Sequence, residues 1–168
     1  MLGDKIVVKT HHTKAAREVF EKLKGEILDS PPDKRYAIAV SGESGCGKSE
    51  IGSEIVRLFE EAGAPGLIFH QDDYFIYPPR TNDKKREEDI KNVGMQEVKL
   101  DLLNSHIQQA KEGRSVIEKP LIDYEKNIII SEECDASAVK VIVAEGTYTA
   151  ELKNADFRVF IDRDYRDT

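Results

Sequence analysis

Tryptophan is absent from the 168 residues, and cysteine and methionine occur only twice each. The two cysteines, Cys46 and Cys134, are too few for a disulfide framework and show no metal-ligand spacing, so both are expected as reduced thiols. Long apolar runs are missing as well. The longest, Tyr36 to Val40, falls far short of the roughly 20 residues that a membrane-spanning helix needs. The opening MLGDKIVVKT puts Asp4 where a signal peptide needs positive charge and offers only Ile6 to Val8 as an apolar stretch, which predicts a cytoplasmic protein. An excess of positive charge is also lacking: 25 Lys and Arg stand against 32 Asp and Glu, a net charge of -7. Such a surface does not suit the backbone of a nucleic-acid polymer. Small charged ligands can still bind locally. A chain of this length buries roughly 70% of its unfolded surface, enough for one core, so a single domain over 1–168 is expected.

Periodicity divides the chain. Val19, Leu23 and Ile27 recur every four residues, and Ala16, Phe20 and Leu28 widen the stripe, predicting an amphipathic helix over Thr13 to Asp29 capped by Thr13. Ser30 to Asp33 stop it, leaving Met1 to Asp33 as an N-terminal strand and helix extension. Tyr36 to Val40 reads as a strand buried on both faces, Lys48 to Gly63 as a helix, and Leu67 to His70 as a second strand. Gln71 to Asn92 looks too polar and proline-marked for a core element, and nine of the twelve residues from Arg80 to Lys91 are charged, as in a solvated loop or exposed helical turn. A helix over Leu100 to Lys111 and strands over Asn127 to Ile130, Val139 to Ala144 and Phe157 to Ile161 complete the pattern. Strands alternating with helices predict an α/β fold, a parallel sheet flanked by helices in three α/β/α layers.

The strongest chemical signal is GESGCGKS, formed by Gly42, Glu43, Ser44, Gly45, Cys46, Gly47, Lys48 and Ser49. It fits the P-loop pattern of Gly, four free positions, Gly, Lys and Ser or Thr, and it stands directly between a buried strand and a helix. The glycines let successive N–H groups turn inward around a phosphate at the positive end of the following helix. Lys48 should reach the β and γ phosphates, and the Ser49 hydroxyl should serve Mg²⁺. Cys46 sits at a free position as a small filler. The chain has no Asn-Lys-x-Asp and no Asp-x-x-Gly, which argues against a switch GTPase.

Gln71, Asp72, Asp73 and Tyr74 follow the second strand, which in an open parallel sheet delivers them to the carboxyl edge where ligands bind. A carboxylate there can take an acceptor hydroxyl's proton or hold Mg²⁺. Neighbouring side chains on an extended segment point to opposite sides, so only one of the two aspartates should face the phosphates. Asp72 is the choice, with Asp73 on the substrate side. Glu145 ends an apolar strand and precedes Gly146, a position where charge is costly unless used or paired. It is expected to bind metal.

AIAV followed by GESGCGKS, then HQDDYF, KPLIDY, VIVAEGTY and FRVFID, in that order, resembles the uridine kinase and phosphoribulokinase group of P-loop kinases over about Tyr36 to Asp162, the expected kinase core. The resemblance implies a general base at Asp72, a metal-shell acid at Glu145, and aromatic residues near the substrate at Tyr74 and Phe75. The family's pyrimidine-reading Pro-x-Tyr-Asp-Phe segment is represented by Pro120 to Tyr124, which brings in Asp123 and Tyr124, while Asn127 stands where the family has histidine. Its ribose-contacting Asn-Phe-Asp-His-Pro-Asp segment is matched loosely by Asn92 to Glu97, with Glu97 and Asp101 as the nearest carboxylates. The arginine-rich lid of the family has only Arg163 and Arg166 near its place, so the chain is expected to be cut where that lid begins.

The residues and the resemblance together imply an enzyme that uses ATP and Mg²⁺ to phosphorylate a hydroxyl of a small molecule. A nucleoside is the first choice of acceptor. A sugar-phosphate kinase is the alternative, in which Arg80, Lys84, Lys85 and Arg86 would bind the substrate phosphate. A regulatory protein that senses ATP without transferring phosphate is a third reading. No membrane or nucleic-acid partner is expected, and a homo-oligomer stays open.

Overall fold

A computed structural model describes residues 6–162 of the chain. Four strands, β1 (Tyr36–Gly42), β2 (Gly66–His70), β5 (Val141–Glu145) and β6 (Phe157–Ile161), form a parallel sheet in the order β2-β5-β1-β6. Alternation along these strands feeds two cores. Tyr36, Ile38 and Val40 of β1 and Val141 and Val143 of β5 pack on one face against helices α1 (Thr10–Leu28) and α2 (Lys48–Glu61). Ala37, Ile142 and Ala144 face the other way, toward helix α4 (Leu100–Lys111) and strand β3 (Val116–Asp123). Near-continuous apolar runs in the central strands β1 and β5 therefore yield the three-layer arrangement, because both of their faces are covered.

Helix α4 and strand β6 keep the limits expected from periodicity. Helix α1 starts three residues before Thr13, because the Lys9 amide finds the His12 ring nitrogen Nδ1 at 3.1 Å and closes the first turn without a Ser or Thr cap. The Thr13 hydroxyl is used elsewhere and donates to Glu54 of α2 at 3.2 Å.

Two expectations are corrected. The segment after β2 is a core element: Gln71–Tyr74 form a short 3-10 turn in which Gln71, Asp73 and Tyr74 are buried. Gln71 Oε1, the Asp73 carboxylate and the Tyr74 hydroxyl each have hydrogen-bond partners, which removes most of the cost that made burial look unfavourable. The charged run does form an exposed helix, α3 (Pro79–Glu88), started by proline at its first position. Second, the short strand at Asn127 to Ile130 is half of an antiparallel hairpin, in which β3 pairs residue by residue with β4 (Ile128–Asp135). Glu118, Lys119 and Pro120 disguise β3, and this hairpin stands apart from the parallel sheet.

Among the described residues no helix is long and apolar enough to cross a membrane. Arg163 and Arg166 lie outside the described residues.

Candidate active site

Parallel strands bring their carboxyl ends to one edge, and here three of them converge. β1 runs into the P-loop, β2 into the Gln71–Tyr74 turn, and β5 ends at Glu145. A cleft of about 630 Å³ opens there, with Gly45, Lys48 and Ser49 on the loop side, Asp72 and Glu145 at the strand ends, and Phe75, Arg86, Glu97, Tyr124 and Tyr148 on the far side.

The loop has the expected local form. Gly47 caps α2 in a left-handed conformation at φ 91, and a side chain there would also meet the His12 ring, so only glycine suits the position. The Lys48 ammonium donates to the Glu43 carbonyl across the loop at 2.5 Å. Cys46 is buried and burial pushes its thiol up, as befits a filler. It borders a second cavity of about 720 Å³ between α1 and β6, away from the strand-end carboxylates.

The strand-end segments are tied together by backbone. The Gly146 amide and the Thr149 hydroxyl both donate to the Val40 carbonyl, just before the P-loop. Gln71 Oε1 accepts from the Tyr148 amide at 2.6 Å, and a Cβ on Gly146 would come within 2.3 Å of the Gln71 side chain. Glycine after Glu145 is therefore needed for the two segments to close.

The adjacent aspartates part company. Asp72 lines the cleft, whereas Asp73 is buried beneath it, accepting from the Ile122 amide at 3.0 Å and pairing with the Lys119 ammonium at 3.2 Å. Desolvation, followed by the charge of Glu145, pushes the Asp72 carboxyl up from 3.8 to about 6. Ser49, Asp72 and Glu145 offer hard oxygen donors on one cleft, and a divalent cation would relieve the crowding of carboxylates that raises Asp72. The described residues contain no cluster of three or more His, Cys, Asp and Glu fit for a metal cage. Mg²⁺ asks for none, since it commonly takes one or two carboxylates and completes its shell with phosphates and water.

Other expected substrate residues fall in different places. Phe75, Glu97 and Tyr124 line the cleft. Tyr74 does not; its hydroxyl shares a hydrogen bond with His106 Nδ1 at 2.9 Å inside the second core. Asp123 caps the hairpin turn, accepting from the Lys126 amide, and Arg80 binds the same hairpin through Asn127 and Glu125. Gln71 reaches the cleft as its place after the second strand implied, whereas sequence reasoning passed over His70, whose ring meets Glu145 at 2.7 Å, and the cleft position of Tyr148. Their positions flanking Asp72 and Glu145 were the available signal. Arg86 is the member of the basic run that reaches the cleft, where it donates to Glu97 at 2.8 Å and lies over the Phe75 ring.

The model of the phosphoribulokinase / uridine kinase family matches residues 37–166. The chain belongs to this family. It is 31% identical over 129 residues to a uridine kinase of Ureaplasma urealyticum, covering 74% of this chain and 61% of that protein. A bifunctional alpha-galactosidase/sucrose kinase from Mediterraneibacter gnavus is 26% identical over 161 residues, 89% of this chain and 17% of that protein. The chain thus spans less than two thirds of these curated relatives. Among solved structures, a possible uridine kinase from Bacillus stearothermophilus superposes with a TM-score of 0.71 at 20% identity, covering 90% of this chain and 83% of that one.

Proposed function

We propose that the protein is a Mg²⁺-dependent kinase that transfers the γ-phosphoryl group of ATP to a hydroxyl of an uncharged small molecule, with a nucleoside as first choice. The observation that carries this reading is the placement of Asp72 across one cleft from the P-loop residues Lys48 and Ser49. The acceptor oxygen forms its bond to γ-phosphorus as the bond to the β-γ bridging oxygen breaks, and the hydroxyl proton passes to Asp72. Lys48 and the loop amides balance charge on the transferring group. Ser49, Asp72 and Glu145 would hold Mg²⁺, which would neutralise phosphate charge when bound.

Charge in the acceptor half of the cleft favours a neutral substrate. Arg86 is committed to Glu97, and Asp72 and Glu145 leave that side short of free cations among the described residues. This weighs against a sugar phosphate. Phe75, Tyr124 and Tyr148 provide aromatic surface for a base, and Glu97 an acceptor for sugar hydroxyls. An unphosphorylated sugar is the second reading, favoured by the same neutral pair and by the likeness to a sucrose kinase.

Phosphoryl transfer from ATP to a panel of nucleosides, sugars and sugar phosphates tests this, with ATP hydrolysis without acceptor as background. Transfer to a nucleoside or free sugar is expected. Transfer to sugar phosphates alone overturns the neutral-acceptor reading, and ATP binding with no transfer to any acceptor points to the sensing role.

A further inference from the structure

His70 and Glu145 end adjacent parallel strands and are register partners, so their side chains leave the sheet edge side by side. The His70 ring comes within 2.7 Å of Glu145 Oε1 through Nδ1. An ionised carboxylate only accepts, so Nδ1–H is the donor. Glu145 is nearly sealed from solvent and the ring is largely covered, which strengthens a hydrogen bond to charge and restricts how the carboxylate can turn. Glu145 also lines the cleft, and its second oxygen has no partner among the described residues.

We infer that His70 is a positioning residue: it clamps one oxygen of Glu145 and so presents the other to the divalent cation. This rests on the reading of the cleft as a Mg²⁺-ATP site. Outer partners of this kind fix a ligand's orientation before the metal arrives, and their loss commonly weakens metal binding by about 10–100-fold. A bond that merely tied β2 to β5 would lower stability and leave metal affinity alone.

The two are separated by titrating Mn²⁺ into the protein with ADP and following free Mn²⁺ by electron paramagnetic resonance. His70→Ala should weaken Mn²⁺ binding by about tenfold or more. His70→Asn, whose amide can donate from nearly the place of Nδ1, should restore most of it. Binding of ADP alone, measured with chelator present, should be equal in all three proteins, and thermal melts check that each is folded. Equal Mn²⁺ affinity in wild type and His70→Ala overturns the role of His70 alone. So does a parallel loss of metal-free ADP binding, which would report general damage to the cleft. A wild-type protein that holds no Mn²⁺ with ADP overturns the metal-site reading itself.

Discussion

Lys119 and Asp73 meet at 3.2 Å with both side chains almost wholly shielded, 5% and 0% exposed, directly beneath the catalytic candidate Asp72. The pair joins the β3-β4 hairpin, which carries Tyr124, to the turn that carries Asp72. Removing one partner of a buried pair leaves the other charge desolvated. Asp73→Ala should therefore cost about 3 kcal/mol, softened by the second contact of Lys119 with Glu132, and lower Tm by roughly 6–12 °C. Thermal unfolding checks this; an unchanged melt would mean the pair contributes nothing.

Asp72 should respond in the opposite sense. Its folded carboxyl titrates at about 6 and its ordinary value is 3.8, so the folded state holds the proton more tightly than the unfolded one. Stability from this group is fully present below about pH 4 and is lost as pH rises to about 6. Asp72→Asn should thus stabilise the metal-free protein by about 3 kcal/mol at pH 7.5 and by almost nothing at pH 4. The same variant should lose 100-fold or more in turnover, the usual scale for a general base. Melts at the two pH values and a transfer assay test both halves.

Lys48→Ala should reduce ATP-dependent transfer on the order of 1,000-fold, because Lys48 is the loop's cationic side chain in the cleft and would balance charge on the transferring group. Its only hydrogen bond among the described residues is to the Glu43 carbonyl, so the fold should survive. Near-normal turnover in a folded variant would remove the P-loop from the mechanism.

Glu97 is held by Arg86, Asn82 and Tyr148. Burial alone would raise its carboxyl, yet the Arg86 and Asn82 hydrogen bonds outweigh it and keep the group below the usual range, hence ionised. Glu97→Gln should raise KM for the acceptor about tenfold and leave KM for ATP unchanged, the scale of one hydrogen bond to charge. Equal shifts in both constants would place Glu97 outside the acceptor subsite.

The P-loop side of the cleft was legible along the chain, because it depends on local grammar. An apolar strand, glycines that permit inward amides, and Lys48 and Ser49 opening a helix are contiguous, so Gly42 to Ser49 could be read without knowing any neighbour. That just one of Asp72 and Asp73 faces the cleft was legible for a related reason, although the segment is a 3-10 turn and not extended backbone. Adjacent side chains diverge in either geometry.

The far side of the cleft depended on tertiary structure. Phe75, Arg86, Glu97, Tyr124 and Tyr148 come from five separate stretches, and no period or spacing links them. Tyr74, Arg80 and Asp123 looked equally suitable by residue type, and packing decided otherwise: each finds a hydrogen-bond partner outside the cleft. The pairing of His70 with Glu145 arose in the same way, from a register between strands 75 residues apart. Sequence by itself determined the P-loop between β1 and α2, since backbone conformation is a local property. Only the tertiary structure decided which of the candidate residues face that loop across the cleft, because burial and hydrogen-bond satisfaction are settled between segments that the chain order keeps apart.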